Sequence, residues 1–368
     1  MDKVWPFEPT TRSFEQLSWR TDVRRTYASE MRESLRVGRQ RLSLQHILPD
    51  SASTALSALF RQNLFGNYWV PVWFEAHRYA PALAVGTSSF AVAGGDYRVG
   101  ERAFLYSPDG QYQLVTVSSV GAATFTTTPG ASLPVGLVAP GRLCYPVGAA
   151  MGGRLATNVR ERQVVFESRS NVDLASHDLP ELDGVPILED VQVLQGSVAD
   201  NLIHVREYID NGLGPVAVVP QRDFAEALAE VRHIDEGLPA RMRRKRWLHY
   251  LRGRENSFWL PSQGFDLNVP VVGAVDSYVD AVAQLGEPPE ALALRIEDAQ
   301  GPVYRTVASI SILGPVWRYA ITSPVGRGMA SPRVSMMRRM RSDADEIQID
   351  YRSENVAEVV YPVREVLE

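Results

Sequence analysis

The chain has 368 residues, enough for about two domains, and its 45% hydrophobic and 22% charged residues are a globular balance that excludes bulk disorder. A formal net charge of −5 excludes a global electrostatic pull toward nucleic acid or anionic lipid. A single cysteine excludes an internal disulfide, so folding in a reducing cytosol is expected.

Residues 1–30 read as an N-terminal arm. The opening Met-Asp-Lys-Val-Trp-Pro-Phe has no apolar core of a signal peptide, and no run approaches 18 apolar residues, so neither a signal peptide nor a membrane-spanning helix is expected. Trp5, Phe7, Phe14, Leu17 and Trp19 are too apolar for a free tail and are expected to dock on their own module or a neighbour.

A first β module is read over 31–175. Arg41-Leu-Ser-Leu-Gln-His46 alternates as a strand does. Asp50-Ser-Ala-Ser is expected to cap a helix with Leu56, Leu59, Phe60 and Leu64 on one face, which stops at Gly66. Tyr68-Trp69-Val70-Pro71 follows, then strand, Asp/Gly turn, strand, glycine turn and strand over 102–128. Cys144 lies in an apolar strand and reads as a buried, inert thiol, and the alternating stretch 163–169 closes the module.

Residues 176–237 read as a connecting segment. It has acidic Pro/Gly turns and one amphipathic helix at Asp223-Phe-Ala-Glu-Ala-Leu-Ala-Glu-Val. A second β module is read over 238–368. Its Arg-rich helix carries Trp247, Leu248 and Leu251 and stops near Gly253. Phe258-Trp259-Leu260-Pro261 comes next, then the same strand and turn series, and Glu346-Ile-Gln-Ile-Asp-Tyr-Arg closes it.

Helix, glycine stop and aromatic-Trp-aliphatic-Pro thus occur twice in one order. The stretch from Trp69 to Tyr112 nearly equals that from Trp259 to Tyr304. One ancestral module copied once is the expectation. The expected fold class is mainly β: two tandem related β-barrel or sandwich modules, each with a short helix, plus a connecting helix and loop segment.

No chemistry-bearing motif stands out. Neither lysine, Lys3 or Lys245, follows a Gly-rich strand-to-helix turn, and no Gly-x-Ser-x-Gly elbow occurs. Gly326-Arg-Gly328 lacks the third glycine and the βαβ context of a dinucleotide site. His46, His77, His177, His204, His233 and His249 are too scattered for a local metal box, and Asp343-Ala-Asp-Glu346 misplaces the glycine and terminal glutamate of a calcium loop. A structural protein is therefore expected, not an enzyme, with no cofactor and no metal.

Arg241-Met-Arg-Arg-Lys-Arg246 is the strongest basic cluster. Its charges spread around a helix anchored by Trp247 and Leu251, and ion pairing with the acidic 176–210 stretch or with another subunit is expected over nucleic-acid contact. The interface and packing candidates are Trp19, Trp69, Trp73, Arg243, Arg244, Arg246, Trp247 and Trp259.

Trp19-Arg-Thr-Asp-Val-Arg, an Arg-rich strand, a short helix and Trp69-Val-Pro-Val-Trp73 resemble the tail-tip proteins of long non-contractile-tailed bacteriophages. The Trp259-Leu-Pro string is similar to the Phe-x-Trp motif of distal tail proteins in phage-like gene transfer agents. The resemblance touches both copies through short motifs, and the family is structural, so it brings no catalytic residues. It implies a virion tail-tip ring, assembled in the host cytoplasm, that joins the tail tube to the hub and surrounds the DNA channel. It also implies a homo-oligomer, either a hexamer or a trimer of double modules with pseudo-sixfold symmetry. The implied neighbours are the tail tube protein, the tape measure protein and the baseplate hub proteins. DNA would be met only in transit, with no membrane insertion. An alternative expectation is a tail-associated receptor- or glycan-binding module, which would need Tyr68-Trp69 and Phe258-Trp259 exposed for stacking.

Overall fold

A computed structural model describes residues 3–10, 13–26, 29–63, 66–92, 94–190, 200–212, 214–221, 225–284 and 286–366. Leu64 of the first expected helix face, and Asp223 and Phe224 of the expected connecting helix, lie outside them. The chain is mainly β. Among the described residues no helix is long and apolar enough to cross a membrane.

The first half runs β1 (Lys3–Val4), β2 (Phe14–Ser18), β3 (Thr21–Arg25), β4 (Glu30–Ser34), β5 (Arg39–Pro49), α1 (Asp50–Gln62), β6 (Tyr68–Pro71), β7 (His77–Leu83), β8 (Ser89–Ala91), β9 (Arg102–Tyr106), β10 (Tyr112–Val120), β11 (Thr124–Thr128), β12 (Val135–Pro146), β13 (Arg154–Ala156) and β14 (Val159–Ser168). A short hairpin follows, β15 (Glu181–Leu182) and β16 (Val185–Pro186). The second half runs β17 (Asp200–Ile203), β18 (Arg206–Ile209), β19 (Ala217–Pro220), β20 (Glu226–Glu236), α2 (Gly237–Leu251), β21 (Ser257–Pro261), β22 (Val271–Val272), β23 (Tyr278–Val282), β24 (Ala293–Asp298), β25 (Gly301–Leu313), β26 (Val316–Ile321), β27 (Met329–Ala330), β28 (Arg333–Ser342), β29 (Glu346–Tyr351) and β30 (Val356–Glu365).

The two halves pair their strands in the same pattern. In the first, β5 pairs with β14, β14 with β12, β12 with β6, β7 and β9, β9 with β10, β10 with β11, and β11 with β8. In the second, β20 pairs with β30, β30 with β28, β28 with β21 and β24, β24 with β25, β25 with β26, and β26 with β23. The place of β7 is held there by one bridge, Leu267 to Val334. A register shift falls between Val117 and Ser119 in one half and between Val307 and Ser309 in the other.

The pattern extends to the flanks. β1 runs parallel to β6, with Trp5 N–H donating to Trp69 O at 2.9 Å; Ile187 bridges Trp259 in parallel, with Leu188 N–H donating to Trp259 O at 2.8 Å. β2 pairs with β5 and leads into the β3–β4 hairpin; β17 pairs with β20 and leads into the β18–β19 hairpin. The stretches read as arm and connecting segment therefore carry the same series of elements.

Several expectations are corrected. The helix expected over 223–231 is strand β20, which pairs with β30 along Leu228–Glu236. Ala and Glu favour a helix locally, but Val231, His233 and Asp235 are buried on alternate positions, and pairing overrides propensity. Asp50 is not a cap: Pro49 holds that position without a side-chain bond, and Asp50 sits in the first turn, where Arg160 Nε donates to it at 2.7 Å. Trp69 and Trp259 hold the same rung, opposite Leu143 and Arg339. Tyr112 and Tyr304 do not, because the bulges align Leu114 with Tyr304. The counterpart of β14 is β30 and not β29, so β30 closes the second half.

One apolar core is shared by both halves. Trp5, Leu17, Trp19, Leu44 and Phe166 pack there with Trp247, Phe258, Ile347 and Tyr361. Each half also has an outer core, around Phe90, Val115, Phe125 and Val138 in the first and around Val279, Trp317, Tyr319 and Val334 in the second. The sheets are continuous across the halves because β2 lies between β5 and β29: Leu17 faces Gln40 on one side and Ile347 on the other.

Candidate functional site: the joint between the halves

The sequence predicts α2 as a surface-charged helix anchored by Trp247 and Leu251. It is instead buried on most of its circumference: Arg241, Met242, Arg244, Lys245, Trp247, Leu248 and His249 are all inside. A buried charge is tolerated only with partners, and these are supplied by the strands around the helix.

Lys245 is the centre of the joint. Its Nζ lies 2.6 Å from Glu15 Oε1 on β2 and 2.7 Å from Glu75 Oε1, which follows β6. Burial alone would lower its pKa, but Glu15, Glu75 and Asp96 outweigh that and raise it, so the ammonium stays charged. Glu15 also accepts from Gln40 Nε2 at 2.8 Å and from the Tyr351 hydroxyl at 2.9 Å. Glu75 Oε2 accepts from Asp96 N–H at 2.5 Å. Asp96 in turn lies 2.6 Å from Arg142 and accepts from Arg98 Nε at 3.0 Å. Burial pushes the Asp96 carboxyl up, but Arg142, Arg98 and Lys245 hold it well below the usual range. Tyr351 stacks flat on Phe74 at 3.9 Å, with the Arg241 guanidinium 5.7 Å from its ring. Lys245, Arg241 and Tyr351 come from the second half and the rest from the first. Any sliding of one half on the other would strand a buried charge, which fixes a single arrangement.

A second ion pair fastens the β3–β4 hairpin. Arg341 Nε on β28, fully buried, donates to Glu30 Oε1 on β4 at 2.6 Å, and its Nη1 lies 2.8 Å from Asp343. Next to Lys245 on α2, Arg244 lies 3.2 Å from Asp235 and pairs with Asp190. His233 beside them meets the Tyr361 hydroxyl and Asp190 O, each at 3.3 Å; burial, then Arg244, push its pKa down to about 3.

The predicted residues divide accordingly. Trp19 and Trp247 belong to the shared core, where Trp19 lies edge-on to His249 and Trp247 Nε1 donates to Tyr361 at 3.1 Å, and Arg244 is buried with Asp190 and Asp235. Trp69 and Trp73 pack on Phe104 and Tyr106 of the first half. Trp259 is buried against Ile187 and Met337, with Nε1 donating to Leu182 O at 3.2 Å. Arg243 and Arg246 are exposed, Arg243 lying 3.7 Å from Asp178. Glu15, Glu30, Glu75, Asp96, Arg142, Arg341 and Tyr351 were missed. The clearest sequence signal among them is the lone charge in an apolar strand at Gly-Arg142-Leu-Cys.

A cleft of about 670 Å³ opens at the joint, lined by Thr10, Trp73 and His77 of the first half and Leu238, Arg241 and Asn355 of the second. Among the described residues there is no group of three or more His, Cys, Asp or Glu that could hold a metal. Tyr68 and Phe258 are fully buried and Trp259 is 5% exposed, while Trp69 is half-buried. No protein-family model matches the chain, and no curated protein matches it in sequence.

Proposed function

We propose that the chain is an assembly subunit built from one β module copied twice, and that it forms the tail-tip ring of a long non-contractile-tailed bacteriophage. The observation that carries the assembly part is the shared strand pattern of the halves, down to the bulge and to His46 and His233 on matching rungs. In this reading the copies begin at the arm strand, near Lys3 and near Ile187, and each closes as a barrel or sandwich around its own outer core. The joint supports a building role. Its buried charges pair with one another across the two halves, as a fixed structural contact requires.

The phage part rests on the resemblance carried by Trp19–Arg24, Trp69–Trp73 and Trp259–Pro261. In that setting the ring joins tail tube to hub around the DNA channel, with three double modules presenting six pseudo-equivalent positions. Two measurements test it. Antibody labelling of phage particles should mark the tail tip, and labelling elsewhere or nowhere would remove the phage assignment. Native mass spectrometry of the isolated tip should give three copies, while six would favour a plain hexameric ring.

A further inference from the structure

We infer that copies of this chain join head to tail, β17 of one copy adding to the edge strand formed by residues 149–156 of the next. The inference rests on the duplicated-module part of the reading above and not on its phage part.

Inside the chain, the joint is made when β2 of the first half adds antiparallel to β29 of the second. Each partner has a counterpart in the other half. The counterpart of β2 is β17, which likewise pairs with the strand that runs into the helix. The counterpart of β29 is the stretch 149–156, which lies along β14 as β29 lies along β30: Met151 bridges Gln163, and Glu161 N–H donates to Gly153 O at 3.0 Å. Among the described residues neither counterpart has a strand on its outer edge. Each chain therefore carries both members of a second joint, one at each end. Among the described residues they do not meet within the chain: β17 pairs only with β20, and 149–156 only with β14. A second copy supplies the missing member.

The exposed side chains fit this occupant. Leu17 is fully buried in the internal joint, whereas Leu202 on the matching rung of β17 is 63% exposed. The neighbouring Ile203, Tyr208 and Val218 are also exposed. At the positions of the buried ion pair Glu30–Arg341, the open ends carry Val216 and Tyr145, both exposed. Both members of that contact lose their charge together, so neither open end carries a charge that the other would leave unpaired. An exposed apolar edge strand is a liability unless another strand covers it. Because the contact is heterologous, repetition closes a ring or extends a filament.

The internal register Leu17–Ile347 places Leu202 of one copy opposite Ala150 of the next. Directly opposed antiparallel residues lie within disulfide range. The full chain carrying both Leu202→Cys and Ala150→Cys should, on mild oxidation, give reducible inter-chain cross-links, and either single substitution should give none. Native Cys144 is fully buried and adds no background. Association without cross-linking in the double variant would overturn the joint, as would a chain that stays monomeric at high concentration. In a second variant, Leu202→Asp should weaken association by about tenfold or more, equivalent to ~1.4 kcal/mol, with an unchanged unfolding transition. Unchanged association would also overturn it. Cross-linking does not depend on where the chain sits in a phage particle, so this joint and the tail-tip assignment fail separately.

Discussion

Lys245 Nζ lies 2.6 Å from Glu15 Oε1, so a lysine of the second half is held within hydrogen-bonding distance of a carboxylate of the first. Both side chains are almost wholly buried. Removing the cation leaves Glu15 and Glu75 buried beside each other. Lys245→Met should therefore lower stability by about 3–5 kcal/mol. Adding Glu15→Gln and Glu75→Gln to it should recover part of that loss, because the uncompensated charges go too. Urea unfolding of the single and triple variants checks this, and a triple variant no more stable than the single would count against the account.

The buried histidines set an acid limit. The His233 pKa is pushed down to about 3 and the His249 pKa to about 4, in each case by burial first. The folded chain thus keeps them neutral, while the unfolded chain takes up protons below about pH 6.5. Their contribution is full above that value and is lost as pH falls toward 4, at up to ~1.4 kcal/mol per pH unit for each. Asp96 acts lower down: its depressed pKa brings loss only below about pH 4. His233→Gln should flatten the dependence of unfolding free energy on pH between about 6 and 4 by one such share. An unchanged slope would refute the assignment.

Arg341 anchors a hairpin that has little apolar surface of its own. Arg341→Leu should cost the charge-assisted bonds to Glu30, about 1.5–3 kcal/mol. Amide exchange in β3 and β4 should quicken by about tenfold or more, with β18 and β19 unaffected. Hydrogen-exchange mass spectrometry separates the two hairpins directly.

Cys144 is fully buried on β12, and burial pushes its thiol well above the usual range. It should resist thiol reagents in the folded chain and react stoichiometrically in denaturant. Rapid labelling under native conditions would contradict this burial.

Much of the local structure was legible because its signals are local. The alternation at 41–46, the helix ends near Gly66 and Gly253, and the two Trp-Pro strings depend on residues a few positions apart. β20 was not legible, because its Ala- and Glu-rich start favours a helix in isolation and its partner β30 lies more than a hundred residues away. The likeness of the arm and the connecting segment was not legible either, because their hairpins β3–β4 and β18–β19 share a place in the pairing pattern and not a sequence motif.

By itself, then, the sequence determined a mainly β chain with two matched helix-and-tryptophan landmarks and no local catalytic motif, since periodicity, turn residues and motif spacing act over short stretches. Only the tertiary structure decided that Arg244 and Lys245 face inward, that Glu15, Glu75 and Tyr351 meet Lys245, and that β2 joins the halves while β17 is left open. The reason is physical. Whether a charge on a helix meets water or a carboxylate, and whether a strand edge finds a partner, depends on elements brought together from opposite ends of the chain.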